Sequence, residues 1–417
     1  MLLFVLAGVY GLHNGASLYH KQYGEIEDIN QKAEESRQET LAYYTSGKKG
    51  PEDRPWVDVT TPFWAVWSTP IYQFKDPSPV MVYCIGQAEQ YGFYKRVTFW
   101  STPFDSDMAE EIANPERLQS GTLDFSFVIL YLLPLLLLIL VHNVKGAEAD
   151  NGFLPLVHTQ VNSISSWVIA RLSFYVCISA ILMAGLMFYG AVLTPVFGGG
   201  DSAFGKIFLL FTAYLLFWSI CFGIILNTSN SITGSTLKMV GVWLLLAFIV
   251  PATVHQWVST NYPPNLMVDW IDSQRDEQYD LFDEPEEVRH AKLMELFPAL
   301  ANSVVAQDSA KLSEAVNSSY SVLANELAKN SMVAVIKDSQ KKNAAISSSY
   351  WFNPITFFQN TLNQLSQTHY QDYQAHREGI QVLVDRQNQT LVMDTWNEVV
   401  VDKEKYLEYR EQLTKTQ

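Results

Sequence analysis

Two groups of residues in this chain have types and spacings that could do chemistry. Gly200 to Lys206 fits G-x-x-x-x-G-K, the opening of a phosphate-binding loop, in which backbone amides cradle phosphates and the Lys reaches the outer ones. The next position, where a Ser or Thr hydroxyl would hold magnesium, is Ile207, and long apolar runs flank the motif instead of a strand and an amphipathic helix. The expectation is a glycine turn between two apolar segments, with any ATP chemistry on another chain. His369, Asp372 and His376 fall at i, i+3 and i+7, on one face of a helix. Zinc catalysis needs three ligands and a general base, and H-E-x-x-H spacing is absent, so surface or hydrogen-bonded histidines are expected rather than a metal. No Ser-His-Asp order, cysteine nucleophile or paired acid in an apolar setting stands out. The chain is expected to be non-catalytic, with no metal or cofactor of its own.

The elements that would position these residues follow from how charge is distributed. The net charge is -15, yet only four acids and four basic residues fall in 123–254, while 13–122 and 255–417 are both acidic. That split describes a nearly chargeless middle between two acidic soluble parts, and an acidic balance disfavours nucleic acid as a partner. The middle holds four candidate membrane spans: Leu123 to Val141, Trp167 to Leu193, Ile207 to Leu226, and Met239 to about Val258. Each has about the 20 residues that a helix needs to cross hydrocarbon, and none alternates as a barrel strand would. Pro134 and Pro251 are tolerable kinks, and Trp167 and Trp257 stand where interfacial aromatics are expected.

Four spans put both soluble parts on one side. Lys145, Arg171 and Lys238 flank one side against Lys206 on the other, which predicts a cytoplasmic 142–166 and two extracytoplasmic regions. Cys177 and Cys221 fall within spans and Cys84 alone lies in a soluble part, so no disulfide framework is expected there. The apolar run Leu2 to Leu12 is too short to span and lacks the features of a secretory signal, so it reads as the outer part of a first span whose beginning is missing. Residues 51–104, rich in Pro, Trp, Tyr and Thr, predict short strands and turns. Residues 284–391 have helical period, with Pro285 suited to a helix start and another helix expected after Asn353-Pro354.

A series of short elements carries a resemblance. In order they are Ile85-Gly86-Gln87, Ile112-Ala113-Asn114-Pro115, Asp124-Phe125-Ser126-Phe127-Val128, and Glu148 with Gly152-Phe153-Leu154. This order resembles the large-loop permease subunits of ABC transporters of the type-2 exporter class, which show an I/V-G-Q-S-D-like element, an E-N-P stretch, a "DFAFV"-like second span and an E-x-x-x-G-T-L-like cytoplasmic element. The start "YGLHNGASLYHKQ" is similar to that family's first-span exit, and "YWFNPITFFQNTLNQLSQTHYQDYQAHR" to its second external region. Such permeases begin with a full first span and end with a sixth, so this chain reads as cut at both ends or as a reduced variant, the cut being the favoured expectation.

The resemblance implies an α-helical polytopic protein of the bacterial inner membrane with two large extracytoplasmic regions, one mixed α/β and one mainly α-helical. Its parts would be the end of a first span (1–12), a first external domain (13–122), four spans with a coupling segment at 142–166 (123–258), and a second external, mainly helical domain (259–417). Implied partners are a cytoplasmic ABC ATPase subunit carrying ATP and Mg, a second permease (the same or a relative), a periplasmic or envelope protein, and membrane lipids. The function would be export, or force transmission to the envelope. The alternative is a membrane-anchored receptor or assembly scaffold that transports nothing.

Movement of the ATPase would reach the helices through 142–166. There Glu148 and Asp150 offer charge to a partner, Gly152 punctuates, Pro155 stiffens, and Phe153, Leu154 and Leu156 suit a membrane-interfacial face.

Overall fold

The structure, a computed structural model, describes residues 1–107, 123–198, 203–262, 276 and 279–414. Ile112-Ala113-Asn114-Pro115 and Gly200 of the glycine loop lie outside the described residues.

The first helix, α1 (Leu2–Ser46), is a single helix of 45 residues, about 68 Å at 1.5 Å per residue. The helix opened by the apolar run Leu2 to Leu12 therefore continues through the first polar residues, and where the run alone was expected to be too short to span, α1 is long and apolar enough to cross a membrane. No proline interrupts the sequence that follows, and side-chain pairs one turn apart, Gln31–Glu35 and Gln38–Glu34, lace its polar half. Gly47, in the left-handed region at φ 71°, caps it by donating to the Tyr43 carbonyl.

Five helices are long and apolar enough to cross a membrane by length and composition, as expected of a helical membrane protein: α1 and four that contain the expected spans. The second runs over Phe125–Asp150 and opens with α3, built from Phe125–Phe127, a π-helical turn Val128–Leu132, and Leu133–Val141. After it come α6 (Ile164–Leu193), α7 (Ala203–Thr228) and α8, built from Ile232–Leu244, a π-helical turn Leu245–Ile249, and Val250–Asn261. Both π-helical turns end two residues before a proline, Pro134 or Pro251, where a missing N–H breaks the regular ladder. Pro134 cannot donate to the Leu130 carbonyl four residues back; the Tyr214 hydroxyl on α7 donates to it instead, at 2.5 Å. Tyr131 and Phe248, one in each π-helical turn, are in ring contact at 5.6 Å.

A second body stands at one end of this bundle. The first outer region contributes α2 (Pro62–Trp67) and an antiparallel pair, β1 (Ile71–Phe74) and β2 (Tyr94–Val97), with Ile71 opposite Val97. The second contributes α9 (Glu286–Leu296), α10 (Ser309–Ser318), α11 (Tyr320–Ser347), α12 (Pro354–Leu365), α13 (Tyr370–Trp396) and α14 (Lys403–Thr414). A two-stranded ribbon is marginal alone, and here α13 completes it. Gln387 and Asn388 donate to the carbonyls of Val97 and Phe99, at 3.0 and 3.1 Å. Ala65, Val66, Ile71 and Val97 share one core with Ile380, Val384, Leu391, Tyr406 and Tyr409, against which Leu41 and Tyr44 of α1 pack. Two regions far apart in sequence are thus one module. The carboxylate of Glu34 on α1 meets Arg410 of α14 at 2.7 and 3.0 Å, tying that module along the polar half of α1.

Candidate functional site

The expected coupling residues lie at the end of the bundle opposite this module. After α3 the chain forms α4 (Gly146–Asp150), a tight turn, and α5 (Leu154–Gln160) before entering α6. Gly152 holds φ 75° and donates to the Ala149 carbonyl, while Phe153 donates to that of Glu148 at 2.8 Å. These paired bonds form a Schellman closure, which needs a left-handed residue at the position Gly152 fills. Pro155 then fits the first turn of α5, where its missing N–H costs nothing.

Glu148 and Asp150 both bond within the chain. Glu148 pairs with Arg171 of α6, whose guanidinium also lies 4.2 Å from the centre of the Trp167 ring. Asp150 accepts from the backbone N–H of Ile232 at 2.9 Å, at the first turn of α8, where a carboxylate meets the positive end of the helix dipole. Ser235 of α8 donates to the His142 carbonyl at 3.0 Å, and Lys145, buried, donates to the Asn227 carbonyl at the end of α7 at 2.8 Å. Lys238 donates to Ser229 nearby. The three cations grouped on one side by the sequence therefore occupy one end of the bundle, and α4 is fixed to α6, α7 and α8. A groove of about 500 Å³ opens between α4 and α6, lined by Asn143, Ala147, Glu148, Trp167, Arg171 and Tyr175 among others.

In α5 the situation reverses. None of its seven residues is buried, and Phe153 and Leu156 are 59 and 57 % exposed. Leu154 is half-buried. The acids anticipated as contacts bond within the chain, Glu148 half-buried and Asp150 exposed, while Phe153 and Leu156 are left bare.

A second constellation joins the bundle to the module. Asp124 caps α3 by accepting from Phe127 at 2.8 Å, and its other oxygen accepts from the N–H of Ile85 at 3.1 Å. Tyr83, fully buried, donates to the Met187 carbonyl inside α6 at 2.7 Å. Gln87 donates to the Thr368 carbonyl at 3.0 Å, and the Cys84 thiol to Asn363 at 2.9 Å. α1 passes against this knot with almost no clearance: a Cβ on Gly11 or Gly15 would lie 2.7 Å from the backbone of Asp124 or Val82. The sequence elements at 85–87 and 124–128 thus meet in space, which their order along the chain did not reveal. The glycine spacing in α1 was the available signal.

His369 and Asp372 close a reciprocal cap on α13: the His369 ring accepts from Gln371, and Asp372 accepts from the His369 N–H at 3.0 Å. His376 is buried one turn further along. The i, i+3, i+7 spacing is a helix start, and among the described residues no three His, Cys, Asp or Glu side chains gather as a metal would require.

No family model, curated protein or solved structure matches the chain.

Proposed function

We propose that this chain is the membrane permease subunit of an ABC transporter in a bacterial inner membrane. It would pass the movement of a separate cytoplasmic ATPase to the spanning helices, for export or for force on an envelope partner. The observation that carries this reading is α5: a short helix with no buried residue, bearing Leu154 and Leu156 and preceded by Phe153, held off a base that is pinned to three apolar helices. A push on α5 would be delivered through α4 to α6 and α8 together. In this reading Glu148 and Asp150 stiffen the device by their bonds to Arg171 and Ile232, Gly152 and Pro155 set its angle, and the bare apolar residues meet the partner. Lys145, Arg171 and Lys238 at the same end support a cytoplasmic placement, which leaves the module outside. A second permease, the same or a relative, would complete the transporter, and the ATPases would hold ATP and Mg.

The test is affinity purification from native membranes, with mass spectrometry for an ATPase that has a full phosphate loop. The parent is expected to bring one down; Phe153→Glu with Leu156→Glu, or Gly152→Pro, is expected to reduce it by about tenfold, a loss of about 1.4 kcal/mol. Equal recovery in the variants would remove α5 from the mechanism. A parent that recovers envelope proteins and no ATPase would favour the receptor or scaffold instead.

A further inference from the structure

Within the module, α11 and α13 are laced together over part of their length. Ser321 donates to the Asn388 side chain at 2.9 Å, Asn325 donates to the Asp385 carboxylate at 2.7 Å, and Lys329 pairs with the other oxygen of Asp385 at 2.9 Å. Further toward the end of α11 the two helices flank a cleft made of two cavities, of about 320 and 270 Å³, which share Asn343 and Tyr370 as a common wall. The first is also lined by Ser339 and Lys342 of α11, by His369 at the start of α13, and by Gln87 of the segment that joins module and bundle. The second is lined by Gln340, Gln371 and Gln374.

The first cavity gathers donors. Lys342 has no carboxylate partner among the described residues, because Asp338, one turn before it, is taken by Lys341 at 2.6 Å. His369 is only 5 % exposed, and burial lowers its basicity, so the ring is neutral at pH 7. Its Nδ1 accepts from the Gln371 N–H at 3.3 Å, which places the ring proton on Nε2. That Nε2–H finds no acceptor among the described residues, and a buried donor left unbonded is costly unless something outside the chain accepts from it. In a chain of net charge -15, no Asp or Glu among the described residues lines this cavity. The second cavity is walled by amides, which both donate and accept and so suit hydroxyl groups; its one carboxylate among the described residues, Glu378, is held by Gln374 at 2.9 Å. Lysine is a compact charge whose three donors rotate, which matches a tetrahedral phosphate. The planar fork by which arginine grips a carboxylate is absent from the described residues that line either cavity.

We propose that this cleft binds the phosphate ester of a polyol, with the phosphate against Lys342 and His369 and the hydroxyls along the amide wall. The proposal does not depend on transport or on an ATPase. A soluble glycerol or sugar phosphate and a phospholipid with a glycerol headgroup share this chemistry, and the test separates them. Isothermal titration calorimetry of the full chain in neutral detergent uses glycerol 3-phosphate, inorganic phosphate and glycerol as probes, and native mass spectrometry compares retention of phosphatidylglycerol with that of phosphatidylcholine. Binding of glycerol 3-phosphate about tenfold tighter than inorganic phosphate, with none of glycerol, is the result expected for a soluble ligand. Preferential retention of phosphatidylglycerol with no response to the soluble probes would support the proposal with a headgroup as ligand. In either case Lys342→Gln and Asn343→Leu are expected to weaken binding about tenfold, and Lys337→Gln, which removes the same charge at an exposed position of α11 outside the cleft, is expected to leave it unchanged. Thermal unfolding checks that each variant is folded; should Asn343→Leu not fold, the contrast between Lys342→Gln and Lys337→Gln decides. Equal weakening by those two lysine variants, inorganic phosphate bound as tightly as the ester, or no probe whose binding depends on Lys342 would each overturn the proposal.

Discussion

His376 shows how much a single side chain depends on its surroundings. Burial drives its basicity down to about 4 from the ordinary 6.5; the Phe74 backbone offsets this slightly, while Arg377 and Lys75 add to it. The folded ring refuses a proton that the unfolded ring accepts, so stability is full above about pH 6.5 and is lost as pH falls toward 4. Across that window the loss is about 3 kcal/mol, and His369, lowered chiefly by burial, adds in the same direction. Thermal unfolding in detergent is expected to show this acid slope in the parent and a shallower one in His376→Gln; identical slopes would assign the pH dependence to other groups. The histidines were visible in the sequence by spacing, but a helix cap and a ligand pair share that spacing. What separates them is whether Asp372 bonds the backbone of His369, and only the folded chain specifies that.

Among the elements, α13 is held to the first region by an ion pair excluded from water. Arg377 meets Asp107 at 2.6 Å, both almost fully buried, beneath the rings of Tyr91, Tyr370 and Phe104. Removing one partner strands the other charge, so Arg377→Met is expected to cost about 3–5 kcal/mol. The double variant Arg377→Met with Asp107→Asn, which keeps an acceptor for the Gly92 N–H, is expected to recover most of it. Chemical unfolding of the four species measures this, and additive losses would mean that the pair is not coupled. The helices themselves were largely legible, since apolar runs of membrane length and the start signals at Pro285 and Asn353-Pro354 come from local chemistry. The π-helical turns were not: Pro134 and Pro251 marked the kinks, but the hydroxyl that satisfies the Leu130 carbonyl comes from Tyr214, eighty-four residues away. Likewise Glu148 and Asp150 read as charges offered to a partner, and their bonds within the chain went unforeseen because Arg171 and the start of α8 are distant in sequence.

For the whole molecule, the consequential fact is that α1 is shared by bundle and module. Its first half packs in the apolar core, its polar half carries Leu41 and Tyr44 into the module core, and no proline or π-helical turn breaks it. Glu27→Pro, at an exposed position between the two bodies, removes a helical hydrogen bond at a local cost of about 3 kcal/mol. Spin labels at Ser46 and Ile181 are expected to report a narrow distance distribution in the parent and one broadened by about twofold in the variant. An unchanged width would mean that the module's other attachments fix its position. Composition gave each outer region separately and could not foresee that they share a core, because that core is assembled from strands and helices nearly three hundred residues apart. The tight seat of Gly11 and Gly15 has a mechanical consequence. It acts as a fulcrum, with about 47 Å of helix beyond it as a lever, so a tilt of about 5° at the glycines swings Ser46 by about 4 Å. A rearrangement too small to open a path among the apolar helices would still be amplified into a displacement that a protein bound to the distal module could feel.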